Sequence, residues 1–193
     1  MIYFVGNSFA ANHLRKATQL KGLLLAHSMR DAELVFISQD TPIKEDGNRD
    51  LEIIQDLLRD TLVKTKDGTV FVLTSQVPPG FTRALGWKIP IYHQAETLRA
   101  KDAPERALHP EQIIVGCEHP QAALPLSYLR YLTVFNCPVF PVTWEEAEFS
   151  KIAINMTLAS QVDNTNRLAR AADQCGADWS VIANLLRHDR RIG

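Results

Sequence analysis

The sequence predicts an α/β fold: a largely parallel sheet flanked by helices, followed by one long connecting helix and a short helical tail. Three observations carry this. Short apolar runs alternate with amphipathic helical stretches through the first 142 residues, as parallel strands with helical crossovers require. The first run, Ile2–Val5, ends in Gly6 and passes at once into helical sequence. Beyond residue 142 the pattern is helix alone. Residues 1–142 are therefore expected to form one α/β domain, and residues 143–193 the long helix and tail.

Ile2–Val5 reads as a buried strand, and Gly6 as the tight turn after it. The helix that follows Ser8 should turn Leu14, Ala17 and Leu20 inward and end at Gly22. Strand, glycine turn and helix open a Rossmann-like dinucleotide-binding unit. Its glycine fingerprint is altered: Gly6-Asn7-Ser8-Phe9-Ala10-Ala11 keeps the first glycine and an acceptable Ala11. Ser8, however, sets a Cβ where backbone should approach a pyrophosphate. Leu23–Ala26 is a remnant strand without the acid that ordinarily ends it. Asp31 and Glu33 fall about 20 residues beyond the end of this motif at Ala11, but they precede a strand.

Glu33–Ser38 is the next buried strand, bounded by Gln39-Asp40-Thr41-Pro42, and KEDGNRD is a polar loop. Leu51–Leu62 is an amphipathic helix with Leu51, Ile54, Leu58 and Leu62 inward and Asp50 as its cap. Thr69–Thr74 is a strand, and Ser75-Gln76-Val77-Pro78-Pro79-Gly80 is a rigid turn at its carboxyl end, where open parallel sheets gather ligands. Pro90–Tyr92, Gln112–Gly116 and Pro138–Pro141 are further short strands. An irregular helical stretch should run to about Leu108, and a helix over Gln121–Tyr131 should start or kink at Pro125.

The longest helical pattern is Glu148–Asp178. Phe149, Ile152, Met156, Ala159, Val162 and Ala169 recur as one apolar face. Thr143 and Glu146 make a capping box before it, and Gly176 stands where a left-handed cap ends a helix. A second helix begins at Asp178, with Trp179, Ile182 and Leu185 apolar. Glu148, Lys151 and Asn155 at i, i+3 and i+7 leave one side together, as a clamp for an oxyanion or hydroxyl would. Ordinarily a Glu and a Lys three apart on a helix are a solvated pair worth a few tenths of a kcal/mol. Asn155 is a poor mid-helix residue that wants a reason to be there.

Composition narrows the class. The 193 residues are 46% hydrophobic and 22% charged, with a formal net charge of −1, which gives no argument for nucleic acid or an anionic membrane as partner, and neither is expected. No apolar run approaches 18 residues, and the first residues lack a signal peptide's basic region. Cys117, Cys137 and Cys175 form no C-x-x-C, so reduced thiols and a cytoplasmic protein are expected. The six scattered histidines suggest no metal site. Cys175, before a helix cap, is expected to be a small packed hydrophobe.

Taken together, the segments resemble the UDP-glucose/GDP-mannose dehydrogenase family. GNSFAA is similar to its GxGYVG turn, and ELVFISQDTPIKEDGNRDL to its strand, T-P loop and D-G-x-x-D-L segment. TSQVPPGFT resembles S-T-V-P-x-G-T, and AETLRAKDAPERALHPEQIIVG resembles P-E-F-L-x-E-G…P-x-R-I-V-x-G. GCEHPQA matches the loop that follows. EFSKIAINM…NRLARAADQCGAD…RHDRRIG resembles the E-x-x-K-x-x-x-N helix, the N-E-x-A run and the D-x-R-I-G ending. Six matches in family order are specific.

The resemblance implies NAD as cofactor and oxidation of the C6 alcohol of a nucleotide sugar, foremost a UDP sugar, to a carboxylate. It implies a homodimer through the long helix. It assigns Lys151 to steadying the developing oxyanion, Asn155 to holding it with a substrate hydroxyl, and Glu96 to assisting water. Gly6, Ser8, Phe9, Ala11, Thr41, Pro42, Ser75 and Gln76 become the cofactor-binding positions. The departures are Ser8, Gln76 for the family threonine, Ala100 for a second glutamate, and the shortened segment between Gly22 and Glu33. The family's nucleophile lies in a G-G-x-C-F-x-K-D loop that none of the three cysteines matches. A second expectation therefore stands beside the enzyme: a shortened, non-catalytic dimeric scaffold or regulator.

Overall fold

Two strands with both faces buried set the frame. Strand β2 (Leu34–Ile37) and strand β3 (Val70–Leu73) expose none of their side chains, and their residues alternate between two cores. Leu34, Phe36, Val70 and Val72 enter one; Val35, Ile37, Phe71 and Leu73 enter the other. A period of two with both sides apolar is what a central strand between helical layers requires. In the computed structural model, which describes residues 1–192, these strands belong to a six-stranded sheet in the order β1-β2-β3-β4-β5-β6, with β1 at Ile2–Val5, β4 at Ile91–Gln94, β5 at Ile113–Cys117 and β6 at Val139–Thr143.

The first core is closed by α1 (Phe9–Leu20), α4 (Ala103–Leu108) and α5 (Leu126–Thr133), through Leu14, Ala17, Ala107, Tyr128, Tyr131 and Leu132. The second is closed by α2 (Glu52–Lys64), α3 (Phe81–Ala84) and Trp144 at the start of α6 (Trp144–Gln174). The helices end as the sequence requires, with differences. Leu20, expected inward, is 66% exposed, because α1 ends there and turns at Gly22 (φ +77°). The Asp50 carboxylate accepts the Glu52 N–H at 3.1 Å, as a cap should. Helix α5 starts after Pro125 and is not kinked by it. Helix α3 is an extra element within what reads as a turn.

Two features of the sheet position the site. First, the chain leaves β1, passes through α1 and touches the far edge of β1 by a single parallel bridge, Leu25 to Ile2. It then crosses through a 3-10 turn, Met29–Asp31, to pair β2 on the other edge. This change of side makes the carboxyl end of β1 a topological switch point, the place where open α/β sheets bind ligands. The remnant strand expected at Leu23–Ala26 is reduced to that bridge. Second, β4 and β5 are antiparallel while the other pairs are parallel, in keeping with the largely parallel sheet expected. The reversal sends β6 back, so α6 starts near Ile91, whose carbonyl accepts the Trp144 indole N–H at 3.2 Å, and runs toward the carboxyl ends of β1–β4.

The chain forms two units, Met1–Lys151 and Ile152–Gly193. In the second, α6 ends in a Schellman motif: Ala177 N–H donates to Ala172 C=O at 2.9 Å and Gly176 N–H to Asp173 C=O at 3.2 Å, with Gly176 at φ +75°. Helix α7 (Trp179–Arg187) is capped by Asp178, which accepts the Ser180 N–H at 2.8 Å. The apolar face read along α6 is open to solvent, with Phe149, Met156 and Val162 more than half exposed. Cys175 is exposed rather than packed, its thiol directed to the Ala172 carbonyl at 3.3 Å.

Candidate functional site

A cleft of about 240 Å³ opens at the carboxyl ends of β1–β4. Its walls bring together Ser8, Thr41, Pro42, Ser75, Gln76, Glu96 and Lys151 from the sequence-predicted set. Each arrives by a separate element. Ser8 follows β1, Thr41 and Pro42 follow β2, Ser75 and Gln76 follow β3, Glu96 follows β4, and Lys151 descends on α6.

The loops are tied to one another. Thr41 Oγ1 donates to the Gln76 carbonyl at 2.6 Å, the Gln39 N–H donates to Ser75 Oγ at 2.8 Å, and the Asn7 N–H donates to Gln39 Oε1 at 3.3 Å. Gly6 shapes the first wall, although it does not line the cleft. Its φ is +91°, and a Cβ there would lie 2.1 Å from the Ser38 carbonyl oxygen, so only glycine permits the approach of the β1 turn to the end of β2. Ala11 is fully buried behind the wall. Phe9 is 45% exposed, its ring tilted against that of His13 at a centroid distance of 4.5 Å. Neither lines the cleft, because both side chains leave α1 on other faces.

Ser8 behaves differently from the glycine it replaces. Its hydroxyl accepts the Ala11 N–H at 3.0 Å and shares a hydrogen with Ser38 Oγ at 2.5 Å. It is the N-cap of α1, and it spends on its own helix one of the N–H groups that otherwise face a bound anion.

Lys151 and Glu96 form the charged mouth. Their ammonium and carboxylate are 3.7 Å apart, with side chains 15% and 19% exposed. Glu96 also accepts the Leu98 N–H. The clamp read from spacing is therefore revised. Glu148 also lines the cleft, but its carboxylate is engaged by backbone, accepting the Gly80 N–H at 2.6 Å and the Thr82 N–H at 2.8 Å. It caps α3 and is almost fully buried; burial raises its carboxyl above the usual range despite these two donors. Asn155 is exposed and lies in the second unit. Helical spacing placed the three residues on one side, but the packing of the sheet decided which partner each one found.

Two further residues, His93 and Arg49, reach the cleft without a sequence motif to announce them. His93 is 3% exposed, follows Ile91 onto the face covered by α6, and has no partner for Nδ1. Burial lowers its pKa to about 4, so it is neutral at pH 7. Gly116 beside it in β5 lets α6 lie close, since a Cβ there would be 2.7 Å from the Ala147 Cβ and 3.1 Å from the Trp144 Cα. Arg49 donates from Nη1 to the Thr41 carbonyl at 2.7 Å and to Thr41 Oγ1 at 3.3 Å. The only sequence signal for His93 is its place at a strand's carboxyl end, and for Arg49 the Asp-Gly turn before it.

These residues fit NAD. The glycine turn, the helix behind it, the two hydroxyl-bearing loops and two cations surround one cleft at the switch point. The fit is thinner at the adenosine ribose: the Leu25 bridge pairs with Ile2, at the start of β1, and Ala26-His27-Ser28 follow where a strand ending in an acid is usual. Among the described residues there is no group of three or more His, Cys, Asp or Glu side chains that could hold a metal ion, and no helix is long and apolar enough to cross a membrane.

Known proteins share this design. The family model described as UDP-glucose/GDP-mannose dehydrogenase family, NAD binding domain, matches residues 8–132, and the model of the same family's central domain matches residues 145–193. MJ1054 of Methanocaldococcus jannaschii is 29% identical over 177 residues, covering 86% of this chain and 20% of that protein. UDP-glucose 6-dehydrogenase YwqF of Bacillus subtilis is 28% identical over 175 residues, covering 86% of this chain and 39% of that enzyme. A UDP-glucose dehydrogenase structure from Pyrobaculum islandicum superposes with a TM-score of 0.76 at 21% identity, covering 100% of this chain and 57% of that one; it shares the fold. The chain thus spans about two fifths of the Bacillus relative. Its glycine turn, cleft and NAD-binding domain lead to one conclusion: this chain belongs to the UDP-glucose/GDP-mannose dehydrogenase family.

Proposed function

We propose that this chain is the cofactor domain and the head of the connecting helix of a nucleotide-sugar 6-dehydrogenase acting on the C6 alcohol of a UDP sugar. The observation that carries this reading is the Lys151–Glu96 pair, brought by two distant segments to the mouth of the cleft at the switch point. NAD, when bound, takes up the hydride released from the alcohol carbon. Gly6, Ser8, Phe9, Ala11, Thr41, Pro42, Ser75 and Gln76 build its site, some as walls and some as support behind them. The Lys151 ammonium is aimed at oxygen charge that grows during oxidation, an interaction worth a few kcal/mol in rate where it is preorganised. Glu96 orients that ammonium and is the carboxylate placed to assist a water. Asn155, exposed on the second unit, matches the family position that holds a substrate hydroxyl. The three free cysteines support a reducing, cytoplasmic setting.

The test is Lys151→Ala. Pre-steady-state NADH formation from UDP-glucose should fall by about 100-fold or more, while the Kd for NADH stays within twofold. Equal rates in variant and parent would remove Lys151 from the chemistry. The exposed apolar residues of the second unit, Met156, Val162, Val181 and Leu185, support a homodimer through α6 and α7, since patches beyond a few hundred Å² mark interfaces. Light scattering at tens of micromolar should give twice the 21.7 kDa chain mass; a monomer there would contradict it. The Ser8 cap favours a second reading, a non-catalytic dimeric scaffold, which requires that NADH fail to bind.

A further inference from the structure

We propose that Arg49 holds the phosphate of the bound nucleotide, taking over a task that the amino end of α1 ordinarily performs; the proposal rests on the nucleotide-binding reading of the cleft. Three observations lead to it.

The first is what α1 has lost. With Ser8 in place of glycine, the Ala11 N–H is satisfied by the Ser8 hydroxyl, which is itself bonded to Ser38. Ser8 is 3% exposed, so this donor is closed off by protein, and an anion at the helix end meets fewer free N–H groups.

The second is how the charges of the cleft are distributed. Lys151 is neutralised by Glu96 at 3.7 Å, and the Glu148 carboxylate is held by two backbone N–H groups. Asp40 is exposed on the rim. Arg49 also lines the cleft, and its two acceptors, both on Thr41, are neutral. Among the described residues no carboxylate lies within 4.0 Å of it. A guanidinium carries five N–H donors in a planar fork. The two on Nη1 are spent on Thr41, and those on Nε and Nη2 are available to an anion that accepts two at once, as phosphate does.

The third is that Arg49 is held in place beforehand. It stands on a small hairpin: Ile43 and Arg49 form an antiparallel bridge, and Lys44 N–H donates to the Asn48 carbonyl at 2.7 Å. Gly47 turns the chain at φ +83°, and the Asp46 carboxylate accepts the Asn48 N–H at 2.8 Å. Lys44, 3.5 Å from Asp50, ties the hairpin to the start of α2. Thr41, which anchors Arg49, is itself bonded to the Gln76 carbonyl after β3. An arginine fixed at both ends loses little rotamer freedom on binding.

The experiment is a fluorescence titration of the full chain with three probes that share the reduced nicotinamide: the riboside without phosphate, the mononucleotide with one, and NADH with two. In the parent, the mononucleotide and NADH should bind at least about 10-fold tighter than the riboside. Arg49→Ala and Arg49→Gln should weaken both phosphate-bearing probes by about 10- to 100-fold and leave the riboside within about twofold. Arg49→Lys should recover part of the loss, and the salt dependence of NADH binding should flatten in the alanine variant. The glutamine variant retains a donor for the Thr41 carbonyl and serves if the alanine variant does not fold. Loss of all three probes in equal measure would assign Arg49 to holding the loop, and a change below about twofold for NADH would dismiss it; either overturns the proposal. If the parent binds none of the probes, the nucleotide reading falls, and this proposal with it.

Discussion

His93 shows how a single side chain links stability to the site. It is buried and neutral, with a pKa lowered to about 4 by burial, whereas in the unfolded chain it titrates near 6.5. Between those values the unfolded chain binds a proton that the folded chain refuses. Stability contributed by the neutral ring is therefore complete above about pH 6.5 and is lost as pH falls toward 4. The loss amounts to about 3 kcal/mol, one pKa unit being about 1.4 kcal/mol. Urea unfolding of the parent and of His93→Gln should diverge in this window, the variant showing a shallower dependence on pH. Parallel curves would mean that His93 is protonated or solvated in the fold. None of this was legible beforehand: a histidine near a strand end looks the same in sequence whether it faces water or a helix. Lys151 and Glu96 were legible as candidates, but their meeting was not. They stand 55 positions apart in the chain (151 − 96), and only the reversal of β5 and β6 brings α6 to the end of β4.

At the scale of elements, local chemistry was the most readable part. Thr143 and Glu146 form the reciprocal capping box, the Thr143 N–H donating to Glu146 at 2.7 Å and the Glu146 N–H to Thr143 Oγ1 at 3.3 Å. Gly176 ends the same helix with φ +75°. Such signals depend on neighbours in sequence, so sequence reveals them. Helix α3 was missed because Pro78-Pro79-Gly80 punctuates the chain and the element is only four residues long; a cap from Glu148, 66 residues beyond Thr82, sustains it. The antiparallel pairing of β5 was missed because strand direction is a tertiary choice. Gly116 is where that choice has a testable consequence. Gly116→Ala forces a methyl group against Ala147 and the Trp144 backbone, and overpacking of this kind costs about 1–3 kcal/mol. Its Tm should drop by about 2–12 °C, at 2–4 °C per kcal/mol for a chain of this size. Ala147→Gly in the same chain should restore part of the drop by opening the space. A double variant as unstable as the sum of its parts would show that the two positions do not share a contact.

For the whole molecule, the class of fold followed from alternation alone, because every strand of a two-sided sheet must be apolar and every crossover amphipathic. The exposed face of the second unit looks like core in sequence, since apolar periodicity marks a surface to be buried without naming what buries it. The claim on which the rest depends is that the cleft at the ends of β1–β4 holds a dinucleotide despite Ser8 and the reduced second strand. Titrating the purified chain with NADH, and following energy transfer from Trp87, Trp144 or Trp179 to the reduced nicotinamide, tests it most directly. Saturable binding with a micromolar Kd is the expected result. No binding at millimolar NADH, from a chain shown to be folded by circular dichroism, would contradict it.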